Sequence, residues 1–169
     1  MRKNILAVLL LVFVLVFGTS TSAITKTVKL NLIDGSYYAY LKSAPLAVDF
    51  ETKMNDRFSF VAGGSIGILG ILGANAGLRY YINPGTMQGI YGEGRVTGLG
   101  AFLLGGGVVV GGAGVTGGYK HVFENGFTLD GGAGIASMLF AFGGGGGDFD
   151  GGFGFHPTLD IRLGLGYSW

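Results

Sequence analysis

The segment from Asp160 to Trp169 alternates between apolar residues and small or polar residues with a period of two. The apolar positions are Ile161, Leu163, Leu165, Tyr167 and Trp169. This period belongs to a β-strand whose two faces meet different surroundings. Tyr and Trp are the residue types that settle where an apolar phase meets water. The stripe therefore predicts a strand with one lipid-facing side that ends at a membrane boundary.

The first residues have the pattern of an export signal. Arg2 and Lys3 precede an apolar run over residues 5–17, and small residues at 19–23 provide a cleavage site. We expect residues 1–23 to be a cleaved signal peptide and residues 24–169 to form the mature chain. The alternative is a retained membrane helix, but this apolar run is shorter than the roughly 20 residues that a spanning helix needs.

The composition points to an all-β protein in lipid. The chain has 36 Gly among 169 residues, no Cys and 12% charged residues. The absence of Cys excludes a disulfide framework, a thiolate metal site and a lipoprotein anchor. Without Arg2 and Lys3, nine basic residues face ten acidic ones, so nothing predicts a nucleic-acid groove. A transmembrane barrel accommodates this combination of apolar and small residues without helices.

Turn signals divide the mature chain into eight predicted strands. These are residues 26–33, 46–54, 57–68, 74–82, 90–102, 108–122, 127–142 and 156–169. Short polar turns are predicted at 55–56, 83–89 and 124–126, and long loops at 34–45 and 143–155. This alternation predicts an eight-stranded antiparallel up-and-down barrel in the outer membrane of a bacterial cell, with both mature termini in the periplasm.

Within the second to the eighth predicted strands the charged residues keep to one parity, opposite the large apolar residues. Eight strands enclose an interior just wide enough for side chains to fill. Because an unpaired buried charge is costly, the two signs should pair across this lumen. The predicted lumen charge network consists of Lys29, Asp49, Glu51, Lys53, Arg57, Arg79, Glu93, Arg95, Lys120, Asp130, Asp160 and Arg162.

Two other folds fit parts of this pattern. A soluble exported β-sandwich would also alternate, with its apolar face packed on a second sheet. The uncharged window from Val96 to Tyr119 is long enough for a membrane helix. That helix would carry many interior glycines, each costing about 0.8–1 kcal/mol relative to Ala. We therefore predict strands for this window.

Several stretches of the chain resemble a known group of proteins. They are Leu46–Glu51, Asn55–Phe60, Asn75–Tyr81 and the closing Leu163–Trp169. This pattern resembles small bacterial outer-membrane β-barrel proteins of the OmpA-transmembrane-domain-like and OmpX-like group. In that group the barrel-assembly machinery reads the last strand, so the resemblance implies that Tyr167 and Trp169 act as an assembly signal. Phe is the usual last residue there, and Trp169 departs from it.

The candidates for chemistry are few. His121 lies near a turn, whereas His156 lies close in sequence to Asp148, Asp150 and Thr158. The resemblance also covers lipid-modifying barrels that use His, Ser and an acid, but the sequence around His156 lacks the His-x-Ser spacing of the deacylases. Two loop carboxylates fall short of the six to eight oxygens of a Ca²⁺ site. We expect no catalytic residue, no cofactor and no metal.

We therefore expect a non-enzymatic barrel whose lumen is filled by side chains. Its partners would be outer-membrane lipid, the barrel-assembly machinery and an external protein or surface met by its loops. The aromatic residues expected in those loops are Tyr37, Tyr38, Tyr40, Phe149, Phe153 and Phe155. The alternatives are a lipid-modifying enzyme, a narrow channel and a soluble exported sandwich.

Overall fold

The computed structural model is a closed barrel of eight antiparallel strands in chain order. It describes residues 24–35, 46–67, 71–103, 106–145 and 150–169. The strands are β1 (Lys26–Asp34), β2 (Leu46–Lys53), β3 (Phe58–Ile66), β4 (Ile71–Tyr81), β5 (Gly89–Leu103), β6 (Gly106–Val122), β7 (Phe127–Gly145) and β8 (Asp150–Ser168). The predicted eight-stranded, up-and-down antiparallel barrel is confirmed, and a two-sheet sandwich is not formed.

The first and last strands close the barrel. β1 pairs with β8 from Thr27 opposite Ser168 to Asp34 opposite Arg162. At the end that holds the termini, the Trp169 carbonyl accepts hydrogen bonds from the backbone N–H groups of Thr25 and Lys26, at 2.8 and 2.9 Å. Closure leaves neither terminal strand with an open edge over this paired length, which a barrel in lipid requires.

The two faces of the barrel wall have inverted polarity. Ten charged side chains, described in the next subsection, are buried on the inside together with Asp34 and several hydroxyl and amide groups. The outside carries large hydrophobic side chains, such as Val115 at 66% and Val96 at 59% exposure. Few apolar residues are buried; Val61 and the pair Ala47 and Leu99 are examples. The polar groups thus form the core.

The predicted long loop at residues 143–155 is wrong over most of its length. β7 continues to Gly145 and β8 begins at Asp150, so only residues 146–149 connect them. Phe140, Ala141 and Phe142 pair with Phe153, Gly152 and Gly151. Glycines there suggested a flexible loop, but backbone pairing does not need side chains. Phe153 and Phe155 therefore lie in a strand and are 84% and 72% exposed.

The other differences from the predicted strands are smaller. The described residues between Val96 and Tyr119 belong to β5 and β6, so the alternative of a membrane helix over this window is wrong. Within the described ranges no helix is both long enough and apolar enough to cross a membrane. The predicted signal peptide at residues 1–23, and Tyr37, Tyr38, Tyr40, Asp148 and Phe149, lie outside the described residues.

Glycines serve the two faces of the wall in different ways. On the inner face of β7, a Cβ added to Gly134 would collide with the backbone of Val115 and Thr116. On the outer face of β5, a Cβ added to Gly92, Gly94 or Gly98 would meet no atom within 4 Å. The strands approach closely at Gly134, whereas the outward glycines face open space.

This difference predicts that one added methyl group lowers the stability of the barrel at the first position and leaves it unchanged at the second. We expect Gly134→Ala to lower the free energy of unfolding by about 1–3 kcal/mol, the typical cost of overpacking. Gly94→Ala should leave it within about 0.5 kcal/mol. Urea titration of the folded barrel, followed by Trp169 fluorescence, measures both. Equal tolerance of the two changes would contradict the close contact at Gly134.

Candidate functional site: the charged barrel interior

One guanidinium joins four strands across the barrel interior. Arg79 on β4 donates from Nε and Nη2 to Glu93 Oε2 on β5, at 2.9 and 2.6 Å. Its Nη1 donates to Asp130 Oδ2 on β7 at 2.7 Å and to Glu51 Oε2 on β2 at 3.2 Å. Because a guanidinium has five donors in a fixed plane, one Arg can satisfy three carboxylates in this way. We call Arg79, Glu51, Glu93 and Asp130 the hub.

Two tyrosines complete the surroundings of the hub. The Arg79 guanidinium carbon lies 3.8 Å from the centre of the Tyr91 ring, a cation–π contact. The Tyr91 hydroxyl donates to Asp130 Oδ1 at 2.5 Å, and the Tyr81 hydroxyl donates to Glu51 Oε1 at 2.7 Å. These contacts fix the rotamers of the carboxylates that Arg79 binds.

Lysines on β1 and β6 extend the hub toward the closing seam. Lys120 Nζ lies 2.9 Å from Glu51 Oε2 and donates to Thr27 Oγ1 at 2.6 Å. Lys29 Nζ lies 3.0 Å from Asp130 Oδ2. The Ser168 hydroxyl is 2.7 Å from the hydroxyls of both Thr27 and Thr128. Side-chain bonding thus joins β1, β7 and β8 inside the barrel as well as along their backbones.

A second group of charges lies farther from the termini. Arg95 bridges Asp49 at 3.1 Å, Glu93 at 2.6 Å and Asp34 at 3.8 Å. Asp49 also accepts hydrogen bonds from the side-chain amides of Asn31 and Asn75. This group shares Glu93 with the hub, so the two form one continuous network.

β8 contributes the last part of the network. Arg162 donates to Glu93 Oε1 at 2.7 Å and pairs with Asp160. The Thr116 hydroxyl donates to Asp160 at 3.2 Å. Among the described residues, five buried cations (Lys29, Arg79, Arg95, Lys120, Arg162) face six buried carboxylates (Asp34, Asp49, Glu51, Glu93, Asp130, Asp160). The interior is therefore close to electrically balanced.

Two residues predicted for this network lie elsewhere. Arg57 precedes β3 and is exposed, with Nη1 donating to the Tyr80 hydroxyl at 2.7 Å on the outer wall. Lys53 is half-buried at the last position of β2, where Nζ donates to the Gly85 carbonyl and lies 3.5 Å from Asp56. Strand parity predicts the side of the wall only inside a paired strand. It fails for Arg57 because this residue belongs to a turn.

Several members of the network are not among the residues predicted from the sequence. Tyr81 and Tyr91 share the parity of Arg79 and Glu93. Strand parity therefore predicts them for the interior too, when it is applied to polar aromatic residues as well as to charged ones. Asp34 was placed in a loop, but it ends β1 and is buried. A register shift between Asn31 and Ile33 changes the parity of β1 there. The alternation in the sequence does not reveal such a bulge.

The turn after β4 covers the interior at the terminal end. Met87 was predicted to belong to a polar turn, but it is buried against Tyr81 and Tyr91, with Ile24 packed beside them. At the far side of the network, Leu99 and Ala47 form a small buried cluster with Val110 against it. Apolar residues therefore lie on both sides of the charged network along the barrel.

Aromatic side chains gather on the outer wall near the terminal end. Tyr167 stacks on Trp169 with ring centres 6.3 Å apart, and both are half-buried. Phe58 packs on Tyr80 at 5.2 Å, and His121 lies between Tyr119 and Phe123. His121 is therefore part of an aromatic surface.

His156 contacts β7 through its backbone. Its backbone N–H donates to the Ser137 hydroxyl at 3.0 Å, so this contact does not involve the imidazole. Its side chain is exposed on β8. The described residues contain no cluster of three or more His, Cys, Asp or Glu side chains that could hold a metal ion.

Comparisons with known proteins do not extend this description. No protein-family model matches the chain, and no curated protein or solved structure matches it significantly. The architecture that the chain shares with small outer-membrane-type barrels is the closed ring of eight antiparallel strands.

The hub predicts a large effect of removing Arg79. Arg79→Met leaves Glu51, Glu93 and Asp130 close together without their common cation. We expect the free energy of unfolding to fall by about 3–5 kcal/mol, as when one partner of a buried ion pair is removed. Lys26→Met, at an exposed position of β1, is the control and should change it by less than about 0.5 kcal/mol. Urea titration followed by Trp169 fluorescence measures both variants.

An unfolding midpoint of Arg79→Met equal to that of the control would contradict the role assigned to the hub. The double variant Arg79→Met with Asp130→Asn separates the loss of the cation from the repulsion that remains, because the other cationic partner of Asp130, Lys29, also lies 3.6 Å from Asp49. It should recover part of the lost stability, because one of the three carboxylates left behind becomes neutral.

Proposed function

We propose that this protein is an integral barrel of the bacterial outer membrane, with an interior filled by side chains and a non-enzymatic structural or surface-interaction role. The observation that carries the proposal is the inverted polarity of the wall, with an ion-pair network inside and large apolar side chains outside. In water this arrangement would expose the apolar surface and bury the charges. In lipid the outer apolar side chains contact acyl chains, and the charges stay paired inside the barrel, away from the hydrocarbon.

The dimensions of the apolar surface agree with a membrane location. On β8 the outward residues from Leu159 to Tyr167 cover about 27 Å along the strand at about 3.4 Å per residue, which is about 20 Å of height at a strand tilt of about 40°. The apolar band of outer-membrane barrels is about 25 Å tall and is flanked by aromatic residues. The aromatic rings near the termini match one of these two belts. A cleaved signal at residues 1–23 would direct the chain to this compartment.

The filled interior favours a structural role for the barrel and argues against the function of a channel. The hub connects β2, β4, β5 and β7 directly, so its side chains cross the space that a channel would occupy. Opening a water-filled path would require these ion pairs to separate. We therefore propose that the barrel does not conduct ions as a porin does.

The long strands suggest where a surface partner would bind. β8 pairs with β1 only from Arg162 onward, whereas its pairing with β7 extends back to Asp150. The sheet thus continues beyond the described part of β1, and it carries the exposed Phe153 and Phe155. Exposed aromatic residues on a rigid element are typical anchors of protein interfaces. This region replaces the predicted loop as the proposed contact surface.

Membrane insertion can be tested with the single tryptophan. Trp169 is the only Trp in the chain, and it should lie near a lipid headgroup. Lipids brominated along their acyl chains should quench its fluorescence after the protein is refolded into vesicles. The same sample should migrate differently on a gel before and after boiling. A protein that stays in solution without detergent, with no quenching, would contradict the proposal.

Conductance separates a filled barrel from a channel. The purified protein in planar bilayers should give no stable porin-sized current steps, because the hub spans the interior. Reproducible large steps would favour the channel alternative. A current that appears only in Arg79→Met would show that the network is what closes the lumen.

A charge on the outer wall should be costly if that wall faces lipid. Val115 is 66% exposed on β6, with its side chain outside. Val115→Arg should lower the free energy of unfolding in vesicles by about 2–4 kcal/mol if the residue lies near the midplane. Val115→Leu is the size control and should have little effect. An Arg tolerated as well as Leu would mean that this wall meets water.

A further inference from the structure

A shallow furrow runs along the outer wall over β4, β5 and β6. Its first part is an open groove of about 540 Å³ lined by Phe58, Leu78, Tyr80, Gly92, Gly94 and Val115. A second groove of about 440 Å³, lined by Ala74, Val96, Gly98, Gly111 and Phe140 among others, lies over the same strands and reaches β7. We call the two together the outer furrow.

The strand register places the two grooves next to each other along the wall. Tyr80 pairs with Gly92 and Leu78 with Gly94 in the first groove. Ala76 pairs with Val96 and Ala74 with Gly98 in the second. From Tyr80 to Ala74 the furrow covers about 20 Å along β4. One leaflet of the bilayer core is about 15 Å thick, so the furrow is long enough for one acyl chain.

Glycines form the floor of the furrow, although neither crowding nor backbone conformation requires glycine at these positions. A Cβ added to Gly92, Gly94, Gly98 or Gly117 would meet nothing within 4 Å, and none of the four has a positive φ. Crowding explains inner glycines such as Gly134, but it explains none of these. Glycine in a strand often marks a place where a ligand or another backbone approaches closely.

A cation lies at the terminal end of the furrow. The Arg57 guanidinium carbon is 5.9 Å from the centre of the Tyr80 ring, and its Nη1 donates to the Tyr80 hydroxyl at 2.7 Å. Arg57 forms no ion pair with another residue of the described ranges. The neighbouring Asp56 lies 3.5 Å from Lys53 instead. An exposed guanidinium beside an apolar furrow complements an anion that carries an apolar tail.

We propose that the outer furrow binds one anionic phospholipid of the surrounding bilayer, with an acyl chain over the glycine floor and the phosphate at Arg57. The inference rests on the proposed membrane location. The remaining donors of the Arg57 guanidinium bind the phosphate oxygens, while Tyr80 holds the side chain in place. The aromatic rings of Phe58 and Tyr80 pack beside the part of the acyl chain nearest the phosphate.

Native mass spectrometry of the barrel released from detergent micelles tests the proposal, with phosphatidylglycerol as the probe and phosphatidylcholine as the comparison. We expect one phosphatidylglycerol to stay bound per barrel at lipid concentrations where phosphatidylcholine is lost. Arg57→Gln should weaken retention about tenfold, because it removes a charge-assisted contact. Gly94→Leu fills the furrow and should abolish retention.

Gly152→Leu is the matched control. Gly152 also has open space around an added Cβ, but it lies on β8, which does not line the furrow; of the furrow residues only Phe140 lies beside it. This variant should retain the lipid like the parent protein. All variants are first checked by heat modifiability, so a loss of binding is measured only on folded barrels.

Equal retention by the parent, Arg57→Gln and Gly94→Leu would overturn the proposal. A lipid-free dimer that Gly94→Leu converts to a monomer would also overturn it, because the furrow would then hold a second copy. These outcomes are distinct from failure of the membrane location. A barrel that inserts in vesicles and shows no lipid preference contradicts only the furrow, whereas a barrel that does not insert contradicts both.

Discussion

The architecture depends on the pairing of charges across the inside of the barrel. Arg79 contacts carboxylates from three other strands, and Glu93 links this hub to Arg95 and Arg162. Each of these charges would be costly to bury alone. Together they replace the apolar core that holds most folds, because few hydrophobic side chains are buried among the described residues. The network thus connects strands that are not neighbours in the sheet.

Because the core is polar, the large apolar side chains lie on the outer wall. Backbone hydrogen bonds close the ring, so the strands need no second layer to cover an edge. The outward face can then carry mostly apolar side chains, which is the requirement that lipid imposes. Closure, the internal ion pairs and the proposed membrane location are therefore parts of one arrangement. The glycines on the outer face of β5 leave open space on this wall, and the proposed lipid would fill it.

Much of the fold could be predicted from strand periodicity alone. Parity correctly separates Asp49 and Glu51 from Phe50, because all three lie inside an unbroken paired strand. It fails where the local geometry changes. The bulge after Asn31 turns Asp34 inward, and the turn before Phe58 leaves Arg57 outside.

Other features depend on contacts that the sequence does not encode locally. The glycines around residues 143–152 resemble a loop, yet they pair across β7 and β8 because backbone bonding is independent of side chains. The hub itself joins Glu51 to Asp130, 79 positions apart, through Arg79. Parity predicts that these residues share the interior. Their actual partners follow from the register and stagger of strands around the ring.

The central claim is that the charged face of the wall is the inside and the apolar face meets lipid. The chain has no Cys, so single cysteines carrying nitroxide labels can be placed at successive positions of β4 from Leu72 to Tyr80, except Arg79, without background labelling. In vesicles, collision with lipid-soluble oxygen should be high at Leu72, Ala74, Ala76, Leu78 and Tyr80 and low at the positions between them. A water-soluble nickel chelate should collide little with the outward labels. Outward labels that instead collide with the nickel chelate more than with oxygen would contradict the account.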